Sequence, residues 1–215
     1  MINRDEKNIA EAVSLKAGQA IYTTGARYSM GCRVKWTTSN GNVKYGFVTS
    51  AHGNKKDDYV YANSLLGSSC LGPIVKRKFS GSADVSVVRL DCSASAYTMT
   101  NYIYGISTST KLSSSPANLY VGQLVEKVGS TTGHTSGYIT NLSTTATYKG
   151  VTFTDYIQST YTSANGDSGG IIYSYDANSS TVKVVGIHEA SGGGYAYGTK
   201  YSNIKSAFST TLSLY

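Results

Sequence analysis

Two prolines, three cysteines and one tryptophan occur among the 215 residues, and charged side chains make up only 14%. Each scarcity narrows the class of protein. Cys32, Cys70 and Cys92 are an odd number, so at least one thiol lacks a partner within the chain, and none stands at a CxxC or other metal-ligand spacing. No apolar run approaches the roughly 18 to 20 residues of a membrane helix, so no membrane span is expected and the chain is expected to be soluble. The net charge is +7, but the densest basic cluster, Lys76-Arg77-Lys78, is short, and Lys55-Lys56 is offset by Asp57-Asp58. Nucleic acid is therefore not an expected partner. The opening MINRDEKNIAEAVSLKAG carries charges where an export signal has its apolar core. Such a start is expected either of a mature or recombinant form of a secreted protein, which the Tyr, Ser and Gly bias favours, or of a chain that works inside a cell.

Against these scarcities stand 23 glycines, 19 tyrosines and a dense scatter of Ser and Thr, the composition of an all-β chain with many turns. After a polar arm over 1–14, strand-like runs follow closely: MGCRVKW, KYGFVTS, DYVYA, PIVKRKF and DVSVVRL. They make a first β unit over 15–106. Residues 107–118, which hold one of the two prolines, read as a linker. A second β unit over 119–215 carries LVEKVG, GYITNL, VTFTDYIQS, GIIYSY and VKVVGIH. Near its end the period changes, and Ser202 is expected to cap a short helix whose Ile204, Ala207 and Phe208 fall at i, i+3 and i+4.

The chemistry concentrates at ANGDSGGIIYSY, where Ser168 stands between Asp167 and two glycines. A serine hydroxyl is a poor nucleophile; it needs a base, a group to orient that base, and donors for the oxyanion that forms. FVTSAHG places His52 at the end of an apolar strand, and SADVSVVRL places Asp84 at the start of another. Glycines beside Ser168 leave the amides of Gly166 and Ser168 unobstructed for an oxyanion, with Asp167 holding the loop from behind. Taken singly, a core histidine, a strand-edge aspartate and a glycine turn are commonplace. Together, the order His, Asp, Ser is that of chymotrypsin-like proteases and differs from α/β-hydrolases and subtilisins.

The chain resembles the chymotrypsin-like serine proteases, in particular the bacterial streptogrisin and α-lytic branch and its glutamyl-specific members. The resemblance runs through AGQAIYTTGARYSMGCRV, GFVTSAHG, VGQLVEKVGSTTGHTSGYI and GTKYSNIKSAF. It implies an all-β fold of two packed six-stranded antiparallel β-barrels with a short C-terminal helix. The cleft between them would hold His52 as general base, Asp84 as its orienter, Ser168 as nucleophile, and the Gly166 and Ser168 amides as oxyanion hole. It also implies that Lys127 reaches Asp167, in a position where the branch usually carries Arg. The family's disulfide cysteines are missing, with Tyr28, Gly53 and Ala164 in their places, so tyrosine packing is expected to steady those loops. A Cys70–Cys92 bridge and two free thiols remain alternatives, the free thiols being preferred, and Cys32 is expected to be buried.

For substrate choice, the resemblance places Thr162 at the floor of the S1 pocket, which lacks the acid that would select Lys or Arg. It sets His188, in VGIHEASGG, to receive a substrate carboxylate as an imidazolium, with Ser163 and Ser191 on the walls. Glu189 conflicts with this: an ionised carboxylate aimed at Asp84 would repel it. It must turn outward unless the strand register slips, and if it faced the pocket, acidic substrates would be repelled. The expected function is a serine endopeptidase acting on proteins or peptides with Glu preferred at P1, secreted, monomeric, and needing no metal or organic cofactor. The alternatives are an inactive binding module of this fold, a protease with neutral P1 preference, or a tyrosine-rich carbohydrate-binding domain.

Overall fold

The computed structural model describes residues 13–23, 25–62, 69–92, 97–175, 181–208 and 212–215. Most of the polar arm read over 1–14 lies outside them. Strand β1 (Val13–Ala17) precedes β2 (Ala20–Thr23), β3 (Ala26–Ser29), β4 (Arg33–Thr37), β5 (Val43–Thr49), β6 (Tyr59–Tyr61), β7 (Cys70–Ser80) and β8 (Ala83–Arg89). Strands β9 (Tyr97–Ile103) and β10 (Lys111–Pro116) lead to β11 (Leu124–Gly129), β12 (Gly133–Tyr148) and β13 (Val151–Ser159). Then come β14 (Ile171–Tyr175), β15 (Thr181–Gly192), β16 (Tyr195–Lys200), helix α1 (Tyr201–Ala207) and β17 (Ser213–Leu214).

Strand pairing closes each half on itself. In the C-terminal half the order β11-β12-β13-β16-β15-β14 returns to β11, a six-stranded antiparallel barrel. In the N-terminal half the order runs β3-β2-β6-β7-β8-β5-β4. Its two ends are one chain segment, since Met30, Gly31 and Cys32 alone separate β3 from β4. Gly31 N–H donates to the Val48 carbonyl (2.8 Å) and Val48 N–H to that of Cys32 (3.1 Å), which seals the ring as six strands. Two parallel pairings add to the antiparallel barrels: β1 with β9, and β10 with β15. The stretch 107–118 thus carries a paired strand, and β17 returns the C-terminus to β4 of the first barrel.

Apolar alternation places the core. In β4, Val34 and Trp36 point inward while Lys35 and Thr37 face solvent. Strand β8 is buried from Ala83 through Val88 because both of its faces are covered. Ala83, Val85 and Val87 join Val128, Ile171 and Ile187 of the C-terminal half in one cluster, while Val88 packs with Phe47 and Ile74 inside the first barrel. The strand carrying Asp84 therefore lies at the seam between barrels. Helix α1 is capped differently from expectation: Lys200 is its N-cap without a side-chain bond, and Ser202 lies inside the first turn. The extended backbone of Lys200 at the end of β16 starts the helix one residue before Tyr201.

Other ties replace the family's missing disulfides. Tyr28 is buried, and its hydroxyl occupies the space that a Cβ on Gly53 would need. A tyrosine and a glycine thus fill together the gap between β3 and the histidine loop. Cys70 and Cys92 are joined, with Cα atoms 5.6 Å apart, so the preferred expectation of two free thiols is corrected. β7 and β8 are antiparallel neighbours, and this pairing brings the start of one beside the end of the other. Cys32 is buried and free, and burial pushes its thiol up to about 12.

Candidate active site

His52 lies three residues beyond β5, where the apolar run Phe47-Val48 gives way to a turn. Its Nδ1 is 2.6 Å from Asp84 Oδ2, and the Ala51 N–H donates to Asp84 Oδ1 at 2.6 Å. Because a carboxylate only accepts, Nδ1 carries the proton and Nε2 is left as an acceptor. The turn is anchored from several sides. Arg77 donates to the carbonyls of Ala51 (3.0 Å) and Asn54 (2.8 Å), Ser86 Oγ to Asn54 Oδ1 (2.7 Å), and Asn54 Nδ2 to the Ser50 carbonyl (2.6 Å). From the other barrel the β12–β13 hairpin reaches over: Lys149 Nζ donates to the His52 carbonyl (2.9 Å), and the Tyr148 ring meets the imidazole edge-on at 4.8 Å. Arg77, Tyr148 and Lys149 were absent from the sequence-derived site, since no local pattern announces a hairpin tip reaching a loop 97 residues away.

The loop bearing Ser168 docks against the first barrel. Gly169 has φ +85, and a Cβ there would collide with Thr49, the Ser29 carbonyl and the Ser50 amide, so only glycine lets the loop come this close. Ser29 N–H donates to the Ser168 carbonyl at 2.8 Å. Two peptide planes set the amides. The Asn165 carbonyl is held by Thr131 Oγ1 (2.8 Å) and the Asp167 carbonyl by the Gly170 N–H (2.8 Å). In a trans peptide the N–H points opposite to the C=O, so the N–H groups of Gly166 and Ser168 are turned the other way. Among the described residues neither has a protein acceptor. Ser168 Oγ donates to the Glu189 carbonyl at 3.1 Å instead of meeting His52 Nε2.

Beneath this loop Asp167 is fully buried, and Lys127 Nζ lies 3.0 Å from its Oδ2. Thr132 Oγ1 (2.6 Å) and the amides of Ala164 (3.0 Å), Thr131 (2.8 Å) and Thr132 (3.0 Å) also donate to it. Burial alone would raise the acid, but these donors hold it down at about 2. Burial lowers the Lys127 ammonium, and Asp167 draws it back up.

Thr162, Ser163 and Ser191 line one cleft of about 310 Å³, together with Thr160, Tyr161, Gly192, Gly194 and Tyr195. No acid lines it. The Ser163 hydroxyl is buried and has no hydrogen-bond partner among the described residues. His188 does not line this cleft. It is buried, its Nδ1 is 3.2 Å from the Tyr161 hydroxyl, and burial, reinforced by the positive Lys127, pushes it down to about 3. Without a substrate carboxylate beside it, burial thus favours the neutral ring at this position.

Glu189 is also buried, because the register of β15 against β16 shifts between His188 and Ala190. The extra residue turns the side chain inward. Its Oε2 accepts from Ser50 Oγ (2.5 Å) and its Oε1 from Thr199 Oγ1 (2.9 Å), and Oε2 lies 3.8 Å from His52 Nδ1. Burial and the neighbouring Asp84 push it well above the usual carboxylate range. His52, Asp84 and Glu189 bring potential ligand atoms within 4.8 Å of one another. Each is already engaged in hydrogen bonds to protein, so the cluster is built as a chain of donors and acceptors. Among the described residues no helix is long and apolar enough to cross a membrane.

No family model matches the chain. It is 34% identical over 199 residues to glutamyl endopeptidase 2 of Streptomyces griseus, covering 92% of this chain and 95% of that one. Serine protease 2 of Streptomyces fradiae is 34% identical over 161 residues, 74% of this chain and 87% of the relative. Thermobifida fusca protease A superposes with a TM-score of 0.75 at 23% identity, over 94% and 98% of the two chains, a likeness of fold. A glutamic-acid-specific serine protease described as using a histidine triad in substrate binding superposes at 0.74 with 29% identity, over 94% and 100%. The two closed barrels and relatives matched along most of their length identify this chain as a chymotrypsin-like serine protease of the bacterial streptogrisin and α-lytic branch.

Proposed function

We propose that the protein is a secreted, monomeric endopeptidase that cleaves after glutamate through an acyl-enzyme. The carrying observation is the conjunction of the His52–Asp84 bond of 2.6 Å with two amides, of Gly166 and Ser168, that have no acceptor among the described residues. Ser168 Oγ rotates from the Glu189 carbonyl to His52 Nε2, which takes its proton as Oγ attacks the peptide carbonyl carbon. The two amides hold the oxyanion. His52 returns the proton to the leaving amine, and water, activated by the same nitrogen, hydrolyses the ester. Asp84 keeps the proton on Nδ1 and balances the imidazolium. Lys127 and Asp167 hold the loop under the nucleophile.

Support for an acidic P1 residue comes from the cleft lined by Thr162, Ser163 and Ser191, which has hydroxyls and no acid, and from Glu189 turning away toward Ser50 and Thr199. The buried, unpartnered Ser163 hydroxyl is a ready donor to a carboxylate. Recognition must differ from that of the relative described as using a histidine triad. This chain has three histidines; His52 pairs with Asp84, and the exposed His134 pairs with Glu126. His188 is left with Tyr161 behind it. The tyrosine hydroxyl and Nδ1 share a hydrogen bond in which either can donate, and the tautomer with its proton on Nε2 would present a neutral donor to a substrate. A second reading, neutral P1 residues, is favoured by the uncharged state of His188 and its place outside the cleft lining.

Peptides differing only at P1 separate the two. Glu is expected to exceed Gln in kcat/KM by at least roughly tenfold, and Ser163→Ala to narrow that gap. Equal or better cleavage after Gln, Leu or Phe favours the neutral reading. Activity persisting in purified Ser168→Ala defeats the nucleophile assignment.

A further inference from the structure

The mechanism above does not use the Glu189 carboxyl, although it lies against the triad. We propose that Glu189 is a positioning residue that works as an uncharged carboxylic acid, donating its O–H to the Asp84 carboxylate so that His52 faces one negative charge and not two. The inference rests on the triad roles given to His52, Asp84 and Ser168.

Geometry selects the protonated partner. The Asp84 and Glu189 carboxyls offer oxygens within 4.8 Å of one another in a buried site, where ionising both would set two negative charges together with no water to relieve the repulsion. One proton must lie between them. Asp84 receives two N–H donors at 2.6 Å, from Ala51 and His52, which favour its anion. Glu189 receives two hydroxyls, from Ser50 and Thr199, which serve a neutral carboxyl as well as a charged one. Among the described residues its ion-pair contact is His52 at 3.8 Å, and that ring has committed its Nδ1 proton to Asp84. The titratable groups facing it from the elements packed around it are Asp84 of β8, His52, Tyr148 at the tip of β12, Tyr156 of β13 and Tyr161 beyond it. None is a lysine or arginine. The proton therefore belongs to Glu189, and the pair carries the single charge of a lone aspartate.

The main chain and side chain of this residue act on different members of the triad. Its carbonyl accepts the Ser168 hydroxyl at 3.1 Å, while its carboxyl lies within 4.8 Å of an Asp84 carboxylate oxygen. The bulge between His188 and Ala190 makes both contacts possible by turning a longer side chain inward at a strand position packed behind the aspartate. An O–H donor to a carboxylate is among the shorter and stronger hydrogen bonds, so it steadies the acceptor that sets the His52 tautomer.

Two variants and one spectroscopic reading test this. Glu189→Met keeps the bulk but removes the donor, and is expected to lower kcat roughly 10- to 100-fold with little change in KM. Glu189→Gln offers an amide N–H to Asp84, and its oxygen and a reoriented Ser50 hydroxyl complete the network; it is expected to recover most of that loss. The acidic limbs of the kcat/KM profiles of wild type and Glu189→Gln should coincide. An infrared difference spectrum, wild type minus Glu189→Gln at pH 7, should show one protonated carboxyl. Recorded in a Ser168→Ala background, it reads Glu189 without turnover, so failure of the nucleophile assignment is seen separately. The proposal is overturned by wild-type kcat in Glu189→Met, by an acidic limb moved to lower pH in Glu189→Gln, or by an ionised-carboxylate band in its place.

Discussion

Two buried carboxyls, one under Ser168 and one beside His52, are pushed in opposite directions. Asp167 and Glu189 are both nearly without exposure. Around Asp167 stand an ammonium, three amides and a hydroxyl, all donors, and the acid is drawn down to about 2. Around Glu189 stand two hydroxyls and another acid, and it is driven well above the usual range. Burial raises both. The donor set decides which way each acid goes, and the low dielectric of a buried site strengthens whatever the donors do.

That contrast can be broken most forcefully at Lys127. Lys127→Met leaves Asp167 charged without its cation, and the unfolding free energy in urea at pH 7 should fall by about 3–5 kcal/mol. A loss under about 1 kcal/mol would mean that the amides suffice alone. A smaller effect is expected from Thr132→Val, which takes away one donor to the carboxylate; about 1.5–3 kcal/mol should be lost in the same measurement. The mildest effect concerns pH. Glu189 binds a proton in the folded state that the unfolded chain releases above 4.5, so its contribution is present below that value and fades as pH rises. Asp167 behaves oppositely, its contribution being present above 3.8 and lost as pH falls toward about 2. Glu189→Gln should therefore match wild type in stability near pH 4. It should then gain on it by at most ~1.4 kcal/mol per pH unit above 4.5, about 1 kcal/mol by about pH 5.5. A difference that stays flat over this range would assign the proton elsewhere.

Legibility followed the range of the interaction. His52, Asp84 and Ser168 each sit in a short pattern of strand end, glycine and acid, and their order along the chain pointed to one family. Lys127 was reached through the resemblance, and in the structure it lies against Asp167. Thr162, Ser163 and Ser191 share one cleft, while His188 stands behind it, because a strand residue's facing depends on register and no register is written in the chain itself. Glu189 makes the same point more sharply. Its conflict with Asp84 was readable, and the bulge that turns it inward was one of the outcomes left open. The parallel pairing of β1 with β9, the Cys70–Cys92 bond and the reach of Lys149 to His52 join segments that carry no local sign of each other.

The chain alone determined that there would be strands in two series, and where a hydroxyl, an imidazole and a carboxylate suited to acyl transfer would fall along them. Alternation and turn chemistry act between neighbours, so they survive in the linear text. Charge state was decided only by the fold. Whether a buried acid keeps its proton depends on which donors arrive from distant strands, as Lys127 and Thr132 do at Asp167 and Ser50 and Thr199 do at Glu189. Those meetings exist only once both barrels have closed.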